Sequence, residues 1–305
     1  CNLAVANGLS TAIAVNSSGQ SSAAANVVYA GDLQGNLWRI DISNVNPALW
    51  TVSVLLQARD LLGNAQPITT APVATLNPKY PQLLGNFVFV GTGQLLGIPD
   101  LSNINLQTIY GVYDPPAPYS SPLVRANLVQ QTLSSAVIGV TNVALVTSNA
   151  VSIPATKGWY IDLTLNSGER VVNTPLLRSG ALVVTSTQPS TSSCTAGGTS
   201  YGYFIDYANG SSFPTPQFSV TGGGPPGDGD MAGGKVPLGV QLGTGFYADA
   251  TILSQGPPGG PPGPIGTCQV GDYQTYQCGA TGTICTPRCL KGSNKRRIAW
   301  WEIKR

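Results

Sequence analysis

The sequence predicts an all-β fold, a β-propeller of antiparallel four-stranded blades, on three observations. Glycine (37) and proline (24) make up a fifth of the 305 residues, punctuation that a helical protein does not tolerate. No long stretch keeps a sustained 3.6-residue apolar period. Apolar, aromatic-rich strands recur with the same ending, an aspartate: Asp41, Asp114, Asp162 and Asp206, at intervals of 73, 48 and 44 residues. An interval in the forties suits a four-stranded blade, and 73 suits one blade with an insertion or nearly two. Such hairpins cannot bury their apolar faces alone; stacking blade on blade does so and shelters the strand edges. A β-sandwich is the competing architecture.

Taken in order, a short strand at Thr11 to Val15 runs into a loop of small polar residues and alanines. Val27 to Ser43, VVYAGDLQGNLWRIDIS, is a hairpin: a β-branched strand, a Gly/Asp/Asn turn and a second strand. Alternation puts Trp38 and Ile40 on one face and Leu37, Arg39 and Asp41 on the other, and the hairpin is expected to bury the tryptophan. Trp50 to Gln57, Thr69 to Leu76 and Phe87 to Gly93 read as strands, the last ending in a Gly-Thr-Gly turn. Gln94 to Asn105 reads as a surface loop before the strand Ile109 to Tyr113, and Pro115, Pro116 and Pro118 break structure after it. Leu123 to Gln130, Ala136 to Thr147 and Trp159 to Leu165 are expected to form the next blade. Leu182 to Thr187 is a buried strand, Tyr201 to Asp206 another, and weaker strands follow at Gln217 to Thr221, Val236 to Leu242 and Tyr247 to Leu253. The closing RRIAWWEIK, Arg296 to Lys304, is an aromatic strand. Asp32, Asp41, Asp114, Asp162 and Asp206 are expected to cap turns at strand ends.

Residues 1–305 are read as a single propeller domain, with 256–292 a Gly/Pro-rich, disulfide-rich insertion within it. GPPGGPPGPIG (256–266) is too short and irregular for a collagen triple helix and reads as an exposed polyproline-II arm. A hydrophobic fraction of 42% can fill one large core. Only 9% of residues are charged and the net charge is +2, so no global field draws in nucleic acid or an anionic membrane. Six basic residues in the last fifteen are read as guarding an edge strand rather than as a nucleic-acid surface. The chain has no histidine, which excludes His-containing nucleophilic triads and His-ligated zinc. No apolar run approaches the length of a transmembrane helix.

Six cysteines are present: Cys1, Cys194, Cys268, Cys278, Cys285 and Cys289. Of the last four, only Cys285 and Cys289 are near in sequence, whereas a four-cysteine zinc site uses two close pairs. Disulfides among Cys194, Cys268, Cys278, Cys285 and Cys289 are expected, with the connectivity open, and they imply an oxidising compartment. Asp228 and Asp230 have the i, i+2 spacing that opens a calcium loop, although a solvated turn is the plainer reading.

Five segments occur together in this order: VVYAGDLQGNLWRID, VFVGTGQLLG, KGWYIDLTLNSGERVVNTPLLRSGALVVTSTQPS, YGYFIDYANG after Cys194, and RRIAWWEIK. In this they resemble the C-terminal propeller of the PilC/PilY family of type IV pilus tip-associated adhesins and biogenesis factors, from about residue 27 onward. The resemblance implies an irregular, quinoprotein-like propeller. It implies an exported protein at the pilus tip or outer membrane surface that supports pilus extension against retraction. Its partners would be minor pilins or the assembly machinery and a host or abiotic surface. Other members carry a large N-terminal region before the propeller, and blades upstream of residue 1 are one way the ring would be completed. Many members also carry a DxDxDxxxD calcium loop before the YAGD strand. Asn16 to Asn26 matches that position and holds no carboxylate, so no high-affinity calcium is expected there and no other cofactor is expected. The site is expected to be a surface, with no catalytic residue; the loops 94–105, 222–235 and 256–292 are where partner contacts are expected. The alternatives are a secreted propeller stacking sugars on Trp and Tyr, and a quinoprotein-like enzyme, for which acids are few.

Overall fold

The computed structural model describes residues 7–17, 24–76, 83–178, 180–190, 198–220 and 226–244, and the backbone of three further strands. The first sheet is β1 (Ile13–Val15), β2 (Val27–Gly31), β3 (Asn36–Asp41) and β4 (Thr51–Gln57), antiparallel neighbours in chain order. The second begins the same way with β5 (Val73–Thr75), β6 (Asn86–Gly91) and β7 (Thr108–Asp114). Its fourth strand is β11 (Gly158–Asp162), which carries β8 (Val129–Gln131) in parallel on its outer edge. The third is β12 (Leu176–Arg178), β13 (Ala181–Pro189), β14 (Gly198–Asp206) and β15 (Gly239–Thr244), extended by the hairpin β10 (Thr141–Val146) and β9 (Leu133–Ile138). A three-stranded sheet follows: β16 (Thr251–Ser254), β17 (Tyr273–Cys278) and β18 (Cys285–Leu290). Only short 3-10 turns interrupt the strands among the described residues.

The first three sheets stack through both faces of the second. Strand alternation sends Val88, Val90, Tyr110, Val112 and Tyr160 toward Val27, Tyr29, Leu37, Leu55 and Leu56 of the first sheet. It sends Phe87, Phe89, Ile109, Trp159 and Ile161 toward Leu182, Val184, Tyr203 and Ile205 of the third. All six residues of β6 are therefore buried. Trp159 fits a slot between two glycines: a Cβ on Gly111 would lie 2.5 Å from its ring, and one on Gly210 2.6 Å. Its indole N–H donates to the Tyr207 carbonyl at 3.0 Å.

Three expectations change. The buried face of β3 is Leu37 and Arg39, while Trp38 and Ile40 lie half-buried on the other. Arg39 is admitted to the interior because Asp114 waits there, a partner 75 residues away that alternation cannot show. Residues 123–165 do not form one blade. Their parts complete two sheets, β8 and β11 in the second and β9 and β10 in the third. The aspartate interval is consequently uneven: Asp41, Asp114 and Asp206 end the third strands of successive sheets, whereas Asp162 ends a fourth strand.

Candidate binding rim

Three aspartate-organised loops meet at one end of the first two sheets. Asp32 accepts the Asn36 backbone N–H at 2.8 Å and its side-chain amide at 2.9 Å, and also the Trp38 indole at 2.8 Å. Asp60 repeats this arrangement: it accepts the Asn64 N–H at 2.8 Å, the Asn64 amide at 2.8 Å and the Leu62 N–H at 2.9 Å. The two turns share the sequence pattern DLxGN, DLQGN at 32–36 and DLLGN at 60–64. The glycine of each takes positive φ, 70° at Gly35 and 85° at Gly63. Asp100 folds the loop 94–105 in a related way, accepting Leu96 N–H at 2.7 Å, Gly97 N–H at 3.0 Å and the Gln94 amide at 2.7 Å.

Backbone bonds lock these loops together at their bases. Ile68 N–H donates to Asp32, Ala58 N–H to Gly35 and Gly93 N–H to Pro67. The buried Gln66 reaches the Leu106 carbonyl at 2.7 Å and the Thr108 hydroxyl at 2.8 Å. Arg170, buried at the far side, donates to the carbonyls of Gln94 (3.1 Å), Asp100 (2.7 Å), Asn103 and Gly168 (2.9 Å). Burial pulls its pKa down from the usual guanidinium value. What this scaffold holds outward is apolar: Leu61 and Leu62 are 75% and 87% exposed, and Leu96, Ile98 and Ile104 are 69%, 83% and 69% exposed. Large apolar side chains held in solvent by a hydrogen-bonded frame make this rim the candidate interaction surface.

Beneath the rim, Arg125 pairs with Asp162 through two bonds of 2.7 and 2.8 Å and lies 4.7 Å over the Tyr160 ring. Tyr110 donates to Gln66 at 2.6 Å. Asp114 takes Arg39 at 2.9 Å and the Tyr29 hydroxyl, while Glu169 takes Ser186 at 2.5 Å and Tyr203 at 2.6 Å. Asp114 and Asp162 are thus interior ion-pair partners and not turn caps; Asp32, Asp41 and Asp206 do cap turns. Sequence reasoning assigned no role to Asp60, Asp100, Arg125 or Arg170; the shared DLxGN pattern is the signal that would have found the first two loops.

Burial pushes the Asp60 and Asp100 carboxyls up, but their amide donors outweigh it and hold both pKa values below the ordinary one. A depressed acid stabilises the fold above the unfolded pKa, roughly 3.9, and loses that contribution as pH falls through its own value. Carboxyl titration by NMR is therefore expected to place both midpoints below that of a free aspartate, and the rim to stay ordered at pH 5.

The calcium candidates do not converge. Asp230 is buried and gives its two oxygens to the Val220 N–H (2.6 Å) and Gly227 N–H (3.0 Å); Asp228 is exposed. No group of three metal-ligating acids or cysteines occurs among the described residues. In Asn16 to Asn26, residues 18–23 lie outside the described set, but the neck is closed by neutral groups. The Asn26 side-chain oxygen accepts Ser17 N–H at 2.9 Å, and the Asn16 amide donates to Ala24 at 2.6 Å. With no carboxylate in the segment, the donor set does not fit calcium. Cys1, Cys194 and Cys268 lie outside the described residues, as does most of 256–292. Cys278, Cys285 and Cys289 are placed by their strands alone. No helix among the described residues is long and apolar enough to cross a membrane.

Comparison with known proteins agrees with this architecture. Residues 2–144 match the family model of the PilY1 beta-propeller domain. The chain is 30% identical over 301 residues to a type IV pilus biogenesis factor PilY1 homolog of Xylella fastidiosa, covering 94% of this chain and 22% of that protein. A second alignment with a homolog of the same organism is 30% identical over 199 residues, 60% of this chain and 13% of the relative. The type IV pilus biogenesis factor PilY1 of Pseudomonas aeruginosa is 30% identical over 243 residues, covering 66% of this chain and 20% of that protein. The chain therefore spans less than a quarter of the length of these relatives. The crystal structure of the Pseudomonas aeruginosa PilY1 C-terminal domain superposes with a TM-score of 0.70 at 21% identity, covering 95% of this chain and 62% of that one, a likeness of fold. Stacked antiparallel sheets, the family match and this superposition agree: the chain is an all-β propeller segment and belongs to the PilY1 family.

Proposed function

We propose that the chain works as a non-catalytic binding module in type IV pilus biogenesis, and that its rim docks on the pilus assembly machinery. The observation that carries this is the rim itself, five large apolar side chains presented on loops that Asp60, Asp100 and Arg170 hold in place. The printed role of the relatives supplies the process, pilus biogenesis. A binding role is also supported by the fate of the buried acids, since Asp114, Asp162, Glu169 and Asp230 are each engaged by arginine, hydroxyl or backbone donors. On this reading residues 1–305 act as one domain with 256–292 as its insertion, exported to the cell surface, where adhesion is a further use of the same loops. A rim whose exposed large side chains are apolar, on loops organised by aspartates, favours a protein partner with a matching apolar patch, such as a minor pilin, over nucleic acid.

The test is the double variant Leu96→Asp, Ile98→Asp in the chain as it occurs. Both positions are exposed, so the melting temperature should stay within a degree or two. Co-purification with minor pilins and the number of surface pili should each fall at least tenfold. A variant that assembles pili normally would overturn the assignment of the rim.

A further inference from the structure

The pairing of β17 with β18 bears on the cysteines, whose connectivity the sequence leaves open. Along the chain Cys285 and Cys289 look like natural partners, only four positions apart. Both lie on β18, however. Four residues of extended strand separate their Cα atoms by about 13 Å. A disulfide spans at most about 7 Å between Cα atoms, so these two cannot join while the strand exists. Across the pair the register sets Cys278 directly opposite Cys285, at the terminal rung, and Gln274 opposite Cys289. Directly opposed residues of an antiparallel pair lie about 4.5–5.5 Å apart at Cα, inside the range a disulfide requires. Only six residues, GATGTI at 279–284, separate the two cysteines in sequence.

We infer that Cys278 and Cys285 form a disulfide that closes the β17–β18 hairpin. The two thiols lose two protons and two electrons to the disulfide of a thiol oxidase in the compartment that receives the chain. The oxidase, reduced, is released as a dithiol, and one S–S bond joins the strands. The bond fixes the register of the strand pair at its Cys278–Cys285 rung and leaves Cys289 to a partner other than its strand neighbour. The assignment is independent of the rim and of any role in pilus assembly.

Non-reducing peptide mapping of the full chain, produced with export to an oxidising compartment, tests it. Elastase cleavage after Ala280 separates the two cysteines. A peptide carrying Cys278 should remain joined to one carrying Cys285 until a phosphine is added. In a Cys278→Ser chain, alkylation of Cys285 by iodoacetamide under native conditions should rise at least tenfold. The inference is overturned if Cys285 is joined to Cys268, Cys194 or Cys1, if both thiols of the unmodified chain alkylate freely, or if Cys285 stays blocked in the Cys278→Ser chain.

Discussion

Replacing Arg39 with methionine will destabilise the chain by about 3–5 kcal/mol at neutral pH, and the loss will shrink as pH falls toward 4. Arg39 and Asp114 meet at 2.9 Å between the first two sheets, both buried. The second Asp114 oxygen has no hydrogen-bond partner among the described residues. Burial therefore dominates, and it pushes the Asp114 pKa above the ordinary carboxylate value even though Tyr29 and Arg39 pull the other way. For an acid raised in the folded state, the native protein holds its proton over the window between the unfolded and folded pKa. Stability falls as pH climbs through that window. Methionine keeps most of the arginine's bulk but removes the pull of its charge, so the window widens upward. The penalty is fully present only above it. Denaturant unfolding at pH 7 and at pH 4.5 reads this directly. Equal losses at both values would show that Arg39 acts through packing alone. Removing both partners with Arg39→Met, Asp114→Leu should recover much of the loss, because an apolar pair leaves no buried charge uncompensated.

Replacing Arg170 with methionine will free the loop 94–105 while leaving the strands beneath it intact. One guanidinium supplies the donors for four carbonyls, three of them in that loop. Bonds from a charged donor contribute about 1.5–3 kcal/mol each, and they do not add fully because they share one group. A net loosening of roughly 3 kcal/mol corresponds to a rise in amide exchange of about a hundredfold across the loop. Amides of β13 and β14 should change by less than threefold. Lysine should not rescue the loop, because a single ammonium cannot reproduce the planar fork that reaches carbonyls on both sides. Uniform exchange throughout the third sheet would mean that Arg170 supports the core rather than the loop. If the rim is the docking surface, this variant should also weaken partner binding without altering any residue that touches the partner.

The two experiments address different layers of one design. Arg39 with Asp114 and Arg125 with Asp162 are ion pairs that reach between segments 75 and 37 residues apart; the first joins the first sheet to the second, and the second ties the segment before β8 to the end of β11 within the second sheet. Arg170 instead ties a surface loop to that stack. Breaking the first kind should cost global stability; breaking the second should cost local order and the presentation of Leu96, Ile98 and Ile104.

The all-β class, the main hairpins and the kinship with pilus proteins were legible in the order of residues alone. Those follow from local chemistry: β-branched and aromatic runs, glycine and proline punctuation, and turn residues such as those in DLQGN. The same order shows that Asn16 to Asn26 lacks the charge a calcium loop needs, because a carboxylate that is not encoded cannot be supplied by folding. Which face of β3 is buried emerged only on folding, since alternation yields two faces and an ion pair with a distant residue selects between them. Folding alone divided residues 123–165 between two sheets, because the edge a strand joins depends on what is already paired there. It likewise turned Asp114 and Asp162 from turn caps into interior partners, and gathered Leu61, Leu62, Leu96, Ile98 and Ile104 onto one rim. Those outcomes rest on contacts between segments far apart in the chain, whose energies no local pattern records.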